Sequence, residues 1–163
     1  MIPNGITRSN ILSVKENNRD NIFHNKKVIG FVGNWEAWIS LEDLLKTSEI
    51  IPNDYSIVVI GKGPNLEYYK NKYPKVKFLG RLKKSLTISL MKSFHICICP
   101  WSSDEIFEEK SARKTVEYMS IGKPVIVSNV VGKEDYLIDK FNCLFYEPGD
   151  FLDLSNKITL ILE

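Results

Sequence analysis

Six short apolar runs, each followed by a stretch with helical periodicity, constrain this chain more than any other feature. The runs are Val28–Val32, Tyr55–Ile60, Val76–Leu79, His95–Cys99, Val125–Val127 and Cys143–Tyr146. They are mainly apolar and do not alternate between apolar and polar residues, as expected of strands that are covered on both faces. The helical patterns lie near Leu41–Ile51, Asn65–Tyr73, Ser85–Phe94, Ser111–Ile121, Lys133–Asp139 and Phe151–Leu162. Repeated strand–helix units with right-handed crossovers predict an α/β fold, a doubly wound, Rossmann-like parallel sheet of about six strands with helices on both faces.

Length and charge restrict the class of protein. A chain of 163 residues predicts one domain, here residues 26–163, preceded by a polar, asparagine-rich linker at 1–25. The 22 basic residues nearly balance the 20 acidic ones, so the chain has no strong positive electrostatic field that would favour binding to nucleic acid. No apolar run approaches the ~20 residues of a membrane span and no signal peptide opens the chain, which predicts a cytoplasmic protein. Basic clusters such as Lys26–Lys27 and Lys75–Lys77 are compatible with peripheral contact at the inner face of an anionic membrane.

Cysteine and histidine usage gives no sign of a disulfide framework or a metal site. The cysteines number three, which is odd, and Cys97 and Cys99 lie inside an apolar run where small core residues are expected. The two histidines, His24 and His95, are far in sequence from any carboxylate cluster, so we expect no metal. For His95 we expect a local hydrogen bond. No cofactor is expected either.

The predicted strand exits form a candidate binding edge, because ligands of doubly wound sheets bind outside the carboxyl ends of the strands. The residues there are small, kinked or basic: Gly33, Asn34, Gly61, Lys62, Gly63, Pro64, Gly80, Arg81, Pro100, Trp101, Ser128 and Asn129. Glycine allows a backbone to approach a ligand closely, although glycine and proline also simply make turns. Five such exits on one edge favour a ligand site.

Two glutamates, Glu109 and Glu117, are separated by seven residues and surround a predicted helix start near Ser111. At about 1.5 Å per residue, Glu117 lies roughly 9 Å along this helix. The free N–H groups of the helix N-terminus attract anions, and Arg113 and Lys114 add positive charge there. The order carboxylate, anion site, carboxylate matches the hexose, pyrophosphate and ribose of a nucleotide sugar. The ordinary alternative is that both glutamates are solvated carboxylates on a helix surface.

The segment 108–129 resembles a motif of glycosyltransferase family 4, a family of retaining enzymes with the GT-B fold. The subgroup pattern is roughly K-x-x-E-Y-M-x-x-G-K-P-V, and residues 114–125 read KTVEYMSIGKPV. Similar matches occur at 2–6, at 61–64, at 76–80 and from 125 to 150. In this family the first glutamate contacts the donor sugar and the second binds the ribose diol. The resemblance therefore implies a catalytic sugar contact for Glu109 and a ribose contact for Glu117.

The resemblance covers only half of a two-domain enzyme. It implies that the chain is the C-terminal domain, which binds a nucleoside-diphosphate sugar for transfer to a glycan or lipid-linked acceptor, and that the N-terminal acceptor-binding domain of the same protein is absent from this sequence. The strand exits and the motif together give these candidate donor-binding residues: Glu117, Lys114, Arg113, Ala112, Gly33, Asn34, Lys62, Gly80 and Arg81. The alternatives are a non-catalytic nucleotide-sugar binding module, such as a subunit of a split GT-B assembly, and a sugar-nucleotide epimerase of the same fold.

The sequence also departs from the family pattern. Asn34, Ile39 and Ser40 occupy positions where the family usually carries residues that help to hold the diphosphate. The positive charge could come instead from one or more of Arg113, Lys114, Lys62 and Arg81. The phenylalanine–glycine step that normally follows the first glutamate is missing, so Glu108 is an alternative to Glu109.

Three tryptophans near the predicted binding edge, Trp35, Trp38 and Trp101, are candidates for stacking on a base or a sugar. A tryptophan at such a position more often packs under a loop. The sequence leaves both roles open.

Overall fold

A computed structural model of the chain describes residue 23 and residues 26–36, 39–102, 112–130 and 136–163. The strands in these ranges are β1 (Lys27–Val32), β2 (Tyr55–Ile60), β3 (Lys77–Gly80), β4 (Ile96–Cys99), β5 (Val125–Ser128) and β6 (Leu144–Tyr146). The helices are α1 (Leu41–Thr47), α2 (Leu66–Lys72), α3 (Lys84–Ser93), α4 (Ala112–Ser120) and α5 (Phe151–Leu162). Each predicted strand is present, and no end differs from its predicted position by more than one residue.

The six strands form one sheet in the order β3-β2-β1-β4-β5-β6, and every pairing is parallel. The chain therefore winds outward from β1 to β3, returns to the middle, and winds outward again from β4 to β6. The direction reverses between β1 and β4. The α/β Rossmann-like fold predicted from the sequence is confirmed.

The core lies along the sheet and beneath its helices. β2, β4 and β5 are buried at every residue, as their mainly apolar composition predicts, and their two polar residues, Ser56 and Ser128, are buried as well. α1 packs against α5, and their inward side chains Leu44, Leu45, Leu154 and Ile158 are completely buried. Burial of each such side chain is worth about 1.5–3 kcal/mol. Asp150 starts α5 as its N-cap, where its carboxylate accepts hydrogen bonds from two backbone N–H groups at 3.0 and 2.9 Å.

The helix predicted over Lys133–Asp139 is wrong in its described part. Residues 133–135 lie outside the described ranges, and residues 136–139 form a turn and a bridge instead of a helix. The Asn142 side chain accepts from the Ile138 N–H at 2.8 Å and donates to the Tyr136 carbonyl at 2.6 Å. An asparagine that binds nearby backbone groups in this way competes with helical hydrogen bonding. Apolar periodicity over seven residues did not reveal that competition.

Two further boundaries differ from prediction. α1 ends at Thr47 instead of Ile51, and turns carry the chain on to Pro52, before which the helical conformation is disfavoured. β4 begins at Ile96, one residue after the predicted start at His95, whose ring lies beside β1. Its Nδ1 accepts from the Val28 N–H at 2.9 Å, which is the local hydrogen bond expected for this histidine.

Phe23 lies within the segment predicted as a linker, yet it is buried against the core. The Lys77 ammonium lies over its ring, 5.5 Å from the ring centre. The other residues of 1–25 are outside the described ranges. At least one side chain of the predicted linker thus contributes to the domain core.

Candidate functional site

The carboxyl ends of β1 and β4 separate and leave a crevice at the point where the strand order reverses. β1 pairs with β2 along its whole length, from Lys27 to Val32, but its pairing with β4 stops at Gly30 and Cys97. Such a reversal point is where open α/β sheets bind ligands. The fold therefore places its main binding crevice beyond Gly30.

Gly33 and Lys114 meet at this crevice. The φ angle of Gly33 is 145°, a conformation that side-chain-bearing residues rarely adopt. A β-carbon built on Gly33 would overlap the Lys114 ammonium group. The glycine that follows the first strand therefore leaves the space that the lysine from α4 occupies.

Lys114 is half-buried, and its ammonium lies 5.8 Å from the centre of the Phe31 ring. Burial lowers the pKa of this ammonium, while the nearby Cys99 and Glu117 act in the opposite direction. A partly desolvated cation interacts more strongly with an anion than a solvated one does. Lys114 therefore makes the crevice favourable for a negatively charged group.

Glu117 and Arg81 line a second space, a cleft of about 370 Å³ between α3 and α4. Its other walls are mainly the side chains of Leu82, Ile88, Met91 and Ile121, with contributions from Lys84, Thr87 and Ser120. Glu117 follows Lys114 by three residues, so the two side chains are neighbours on the helix surface. α4 thus presents a cation toward the crevice and a carboxylate toward a largely apolar cleft.

The turns after the first three strands are held to one another by backbone hydrogen bonds. The Gly33 N–H donates to the Ile60 carbonyl at 2.8 Å, and the Gly61 N–H donates to the Gly80 carbonyl at 2.8 Å. Asn34 and Lys62 are exposed on this rim. The predicted rim residues after β1, β2 and β3 therefore share one continuous edge.

Two of the three tryptophans pack under loops. Trp35 is 2% exposed, and its indole N–H donates to the Pro64 carbonyl at 2.9 Å. Trp101 is completely buried beside Ser128. Neither ring offers a free face for stacking in this structure, and Trp38 lies outside the described residues.

Tyr118 is a residue of the site that the sequence analysis missed. Its side chain is completely buried, its hydroxyl accepts from the Val32 N–H at 2.9 Å, and it donates to the Val32 carbonyl at 3.4 Å. Burial raises its pKa well above the usual value, so the hydroxyl remains protonated. The available signal was the spacing: Tyr118 follows Lys114 by four residues and therefore lies on the same side of the helix.

The sequence model of the family described as "Glycosyl transferases group 1" matches residues 14–163. The chain belongs to this family. No curated protein matches the sequence significantly.

Solved structures similar to this group 1 glycosyltransferase domain agree with its fold. HepE from Anabaena, solved in complex with UDP-glucose, has a TM-score of 0.75 at 21% identity over 97% of this chain and 44% of HepE. Sucrose-phosphate synthase from Thermosynechococcus elongatus has a TM-score of 0.76 at 20% identity, over 99% of this chain and 42% of the synthase. The C-terminal domain of LpcC, a group 1 glycosyl transferase from Francisella tularensis, has a TM-score of 0.74 at 19% identity, over 97% of this chain and 88% of that domain. The chain therefore spans less than half the length of HepE and of the synthase.

The remaining predicted residues of this glycosyltransferase domain are distributed as follows. Ala112 opens α4, Arg113 is exposed at its first turn, and Gly80 ends β3 beside Arg81. Glu109 and its alternative, Glu108, lie outside the described residues. Among the described residues, no group of three or more His, Cys, Asp or Glu side chains is arranged to hold a metal ion.

Proposed function

We propose that this chain is the donor-binding half of a two-lobed, retaining glycosyltransferase of family 4 that acts in the cytoplasm. It binds a nucleoside-diphosphate sugar, and the complete enzyme transfers the sugar to a glycan or lipid-linked acceptor. The observation that carries the proposal is the pair of adjoining spaces along α4. Lys114 lies at the sheet crevice, and Glu117 lies in the cleft next to it.

The donor lies along α4 in this proposal. The diphosphate occupies the crevice near Lys114, where a half-buried ammonium and the helix N-terminus both favour negative charge. The ribose diol donates hydrogen bonds to the Glu117 carboxylate, and the base enters the apolar cleft lined by Arg81. The UDP and UDP-glucose in the HepE structures support this type of ligand.

Lys114 takes the place of the basic residues that the family usually carries after the first strand. Asn34 is exposed and uncharged, and Ile39 and Ser40 follow the same loop. The ammonium of Lys114 instead reaches the same turn from α4, beside Gly33. The diphosphate therefore has a cation at the crevice although the loop after β1 lacks one.

The contribution of this half to catalysis is electrostatic. As the bond to the sugar breaks, negative charge grows on the departing diphosphate, and a preorganised cation at that position lowers the barrier. Glu109 orients the sugar, as the family motif implies. The acceptor attacks from the face that the nucleotide leaves, and the groups that bind it belong to the N-terminal acceptor-binding domain of the same protein.

The test is a nucleotide titration of the labelled domain, followed by NMR. UDP, GDP and ADP and their glucose conjugates are added with and without EDTA. We expect at least one of them to perturb the amides of α4 around Lys114 and Glu117, with or without EDTA. If no nucleotide perturbs α4, the donor-site proposal is wrong; if binding requires Mg²⁺ or Mn²⁺, its metal-free character is wrong.

The uncharged loop at Asn34 favours a second candidate, a non-catalytic nucleotide-sugar binding module. Both candidates bind the nucleotide, so titration does not separate them. Acceptor-dependent release of nucleoside diphosphate by the protein that contains both lobes would support the transferase. Donor binding without release, across soluble and membrane-linked acceptors, would support the module.

A peripheral contact with an anionic membrane is part of the proposal, and its support lies at the amino-end edge of the sheet. Lys26, Lys92 and Lys123 line a cleft of about 590 Å³ there, and no carboxylate is among the described residues that line it. A basic residue close to an anionic membrane contributes about 1 kcal/mol. In the described part of the chain, no helix is long and apolar enough to cross a bilayer. Sedimentation with phosphatidylglycerol vesicles, but not with phosphatidylcholine vesicles, is the expected result; equal recovery with both would reject the contact.

A further inference from the structure

The end of β1 carries a residue, Val32, whose backbone N–H and carbonyl are not paired with β4. The N–H of Lys27 and the N–H of Gly33 both donate toward β2, to Asp54 and Ile60. Backbone groups alternate in direction along a strand, so the N–H and carbonyl of Val32 point the other way, toward β4. The pairing of β1 with β4 has already ended at Gly30.

Proline removes one of the donors that continued pairing would need. If the register Gly30–Cys97 continued, Val32 would lie opposite Cys99, and its carbonyl would face the backbone nitrogen of residue 100. That residue is Pro100, which has no N–H to donate. The two strands therefore separate with the polar groups of Val32 facing the crevice.

The hydroxyl of Tyr118 satisfies both groups. It accepts from the Val32 N–H at 2.9 Å and donates to the Val32 carbonyl at 3.4 Å, from a side chain that is completely buried. The contact joins residues 86 positions apart in the sequence. It ties α4 directly to the residue before Gly33, so it also sets how α4 lies against the glycine turn.

An ordinary buried tyrosine would need only one hydrogen bond to any partner, and its loss would affect stability alone. The position of Tyr118 adds a different consequence. Its neighbours along α4 are Glu117 and, one turn earlier, Lys114, and its partner adjoins Gly33. A shift of α4 relative to Val32 therefore changes the distance between the side chains of Lys114 and Glu117 on one side of the donor site and the Gly33 turn on the other.

We propose that Tyr118 is a positioning residue for the donor site: its hydroxyl holds α4 in register with the end of β1 and so aligns Lys114 and Glu117 with the Gly33 turn. The inference rests on the proposed function, because the aligned site is the one that binds the nucleotide. Tyr118 does not itself contact the donor.

The test compares Tyr118→Phe with Tyr73→Phe. Both substitutions remove one hydroxyl from a buried tyrosine; the Tyr73 hydroxyl donates to Glu42 at 2.8 Å, on α1 and away from α4. UDP affinity is measured by calorimetry at 15 °C, with the melting temperature of each variant recorded separately. We expect both variants to melt lower than wild type, and only Tyr118→Phe to bind UDP about tenfold more weakly, a change of about 1.4 kcal/mol.

The outcomes separate the two proposals. If wild-type protein binds UDP and Tyr118→Phe binds it equally well, the positioning role is wrong while the donor site stands. If both variants lose affinity equally, the effect of Tyr118 is one of general stability and the positioning role is again wrong. Wild-type protein that binds neither UDP nor another nucleotide overturns both proposals.

A second measurement needs no variant. The Val32 amide should exchange slowly with deuterated solvent in wild-type protein, because the Tyr118 hydroxyl accepts its hydrogen. Slow exchange of Val32, similar to that of the β1 amides bonded to β2, supports the contact. Exchange as fast as that of an exposed loop amide would show that the bond is not maintained and would overturn the proposal even if Tyr118→Phe failed to fold.

Discussion

Substitution of Gly33 by alanine tests how the crevice is built. At a φ of 145° a residue with a β-carbon is strained, at a cost of about 1–3 kcal/mol. The new methyl group would also overlap the Lys114 ammonium, which must then leave its place beside the turn. Because a domain of this kind has about 5–15 kcal/mol of total stability, Gly33→Ala should still fold. We expect it to be less stable and to lose most of its UDP affinity.

Gly122→Ala is the matched control. Gly122 also has a positive φ, 71°, but a β-carbon there would meet no atom within 4 Å. Only the backbone strain remains, about 1–2 kcal/mol for a left-handed residue. Urea denaturation should therefore show a smaller loss of stability for Gly122→Ala than for Gly33→Ala, and UDP titration should show wild-type affinity for the control.

Two results would refute this reasoning. If Gly33→Ala binds UDP as tightly as wild type, the position of the Lys114 ammonium beside the turn does not matter for the ligand. If the two alanine variants lose equal stability, the overlap with Lys114 adds nothing to the backbone strain. A further substitution, Lys114→Ala in the Gly33→Ala background, should restore part of the lost stability, because it removes the overlapping group.

The other predictions concern the two glutamates, the pH dependence and turnover. Glu117→Ala should weaken UDP and UDP-glucose alike, by roughly 1.5–3 kcal/mol in calorimetry, because a charge-assisted hydrogen bond is lost; a loss for one ligand only would contradict a ribose contact. Glu109→Ala should spare UDP and weaken only the sugar conjugate, and equal losses would point to Glu108. Burial and two nearby lysines lower the pKa of His95, so the stability that it contributes is present above about pH 6.5 and is lost as the pH falls through the lowered pKa. His95→Asn should lack this part of the acid slope in urea denaturation, and an unchanged slope would be the contrary result. The 163-residue chain alone should release no nucleoside diphosphate in the presence of acceptors, because half of a cleft cannot position them; acceptor-dependent turnover would refute this.

The sheet was predictable because each strand carries its own signal. A strand that is buried on both faces is mainly apolar, and β2, β4 and β5 are apolar at every position except Ser56 and Ser128. The helix predicted at 133–139 failed in its described part because the outcome there depends on Asn142, which lies beyond the predicted helix. Local periodicity predicts which face of one helix or strand is apolar. It does not predict that a side chain from another segment will form hydrogen bonds to the backbone of that element.

The candidate site was predictable only in part. Lys114, Glu117, Gly33 and Arg81 carry local signals of glycine, charge and helix spacing, and the structure brings them to the same end of the sheet. Tyr118 carries no local sequence signal that distinguishes it from an ordinary core residue, because its role depends on a partner 86 positions away. For the tryptophans the sequence left two roles open, stacking on a ligand and packing under a loop. The structure buries Trp35 and Trp101 under loops, which is the commoner of the two roles.

The crevice keeps a positive charge although the loop after β1 is uncharged at Asn34. An anion at the reversal point of the sheet is stabilised by a cation within a few ångströms, and Coulomb's law does not depend on which element supplies it. Here the loop after β1 offers Asn34, while α4 extends Lys114 to the same turn. A lysine that reaches the turn from α4 is useful only if α4 stays in place, and the bond from Tyr118 to Val32 is one of the contacts that hold it there. The cation on α4 thus depends on the tyrosine of the same helix, so Lys114→Ala and Tyr118→Phe combined should lower UDP affinity by less than the sum of their separate effects.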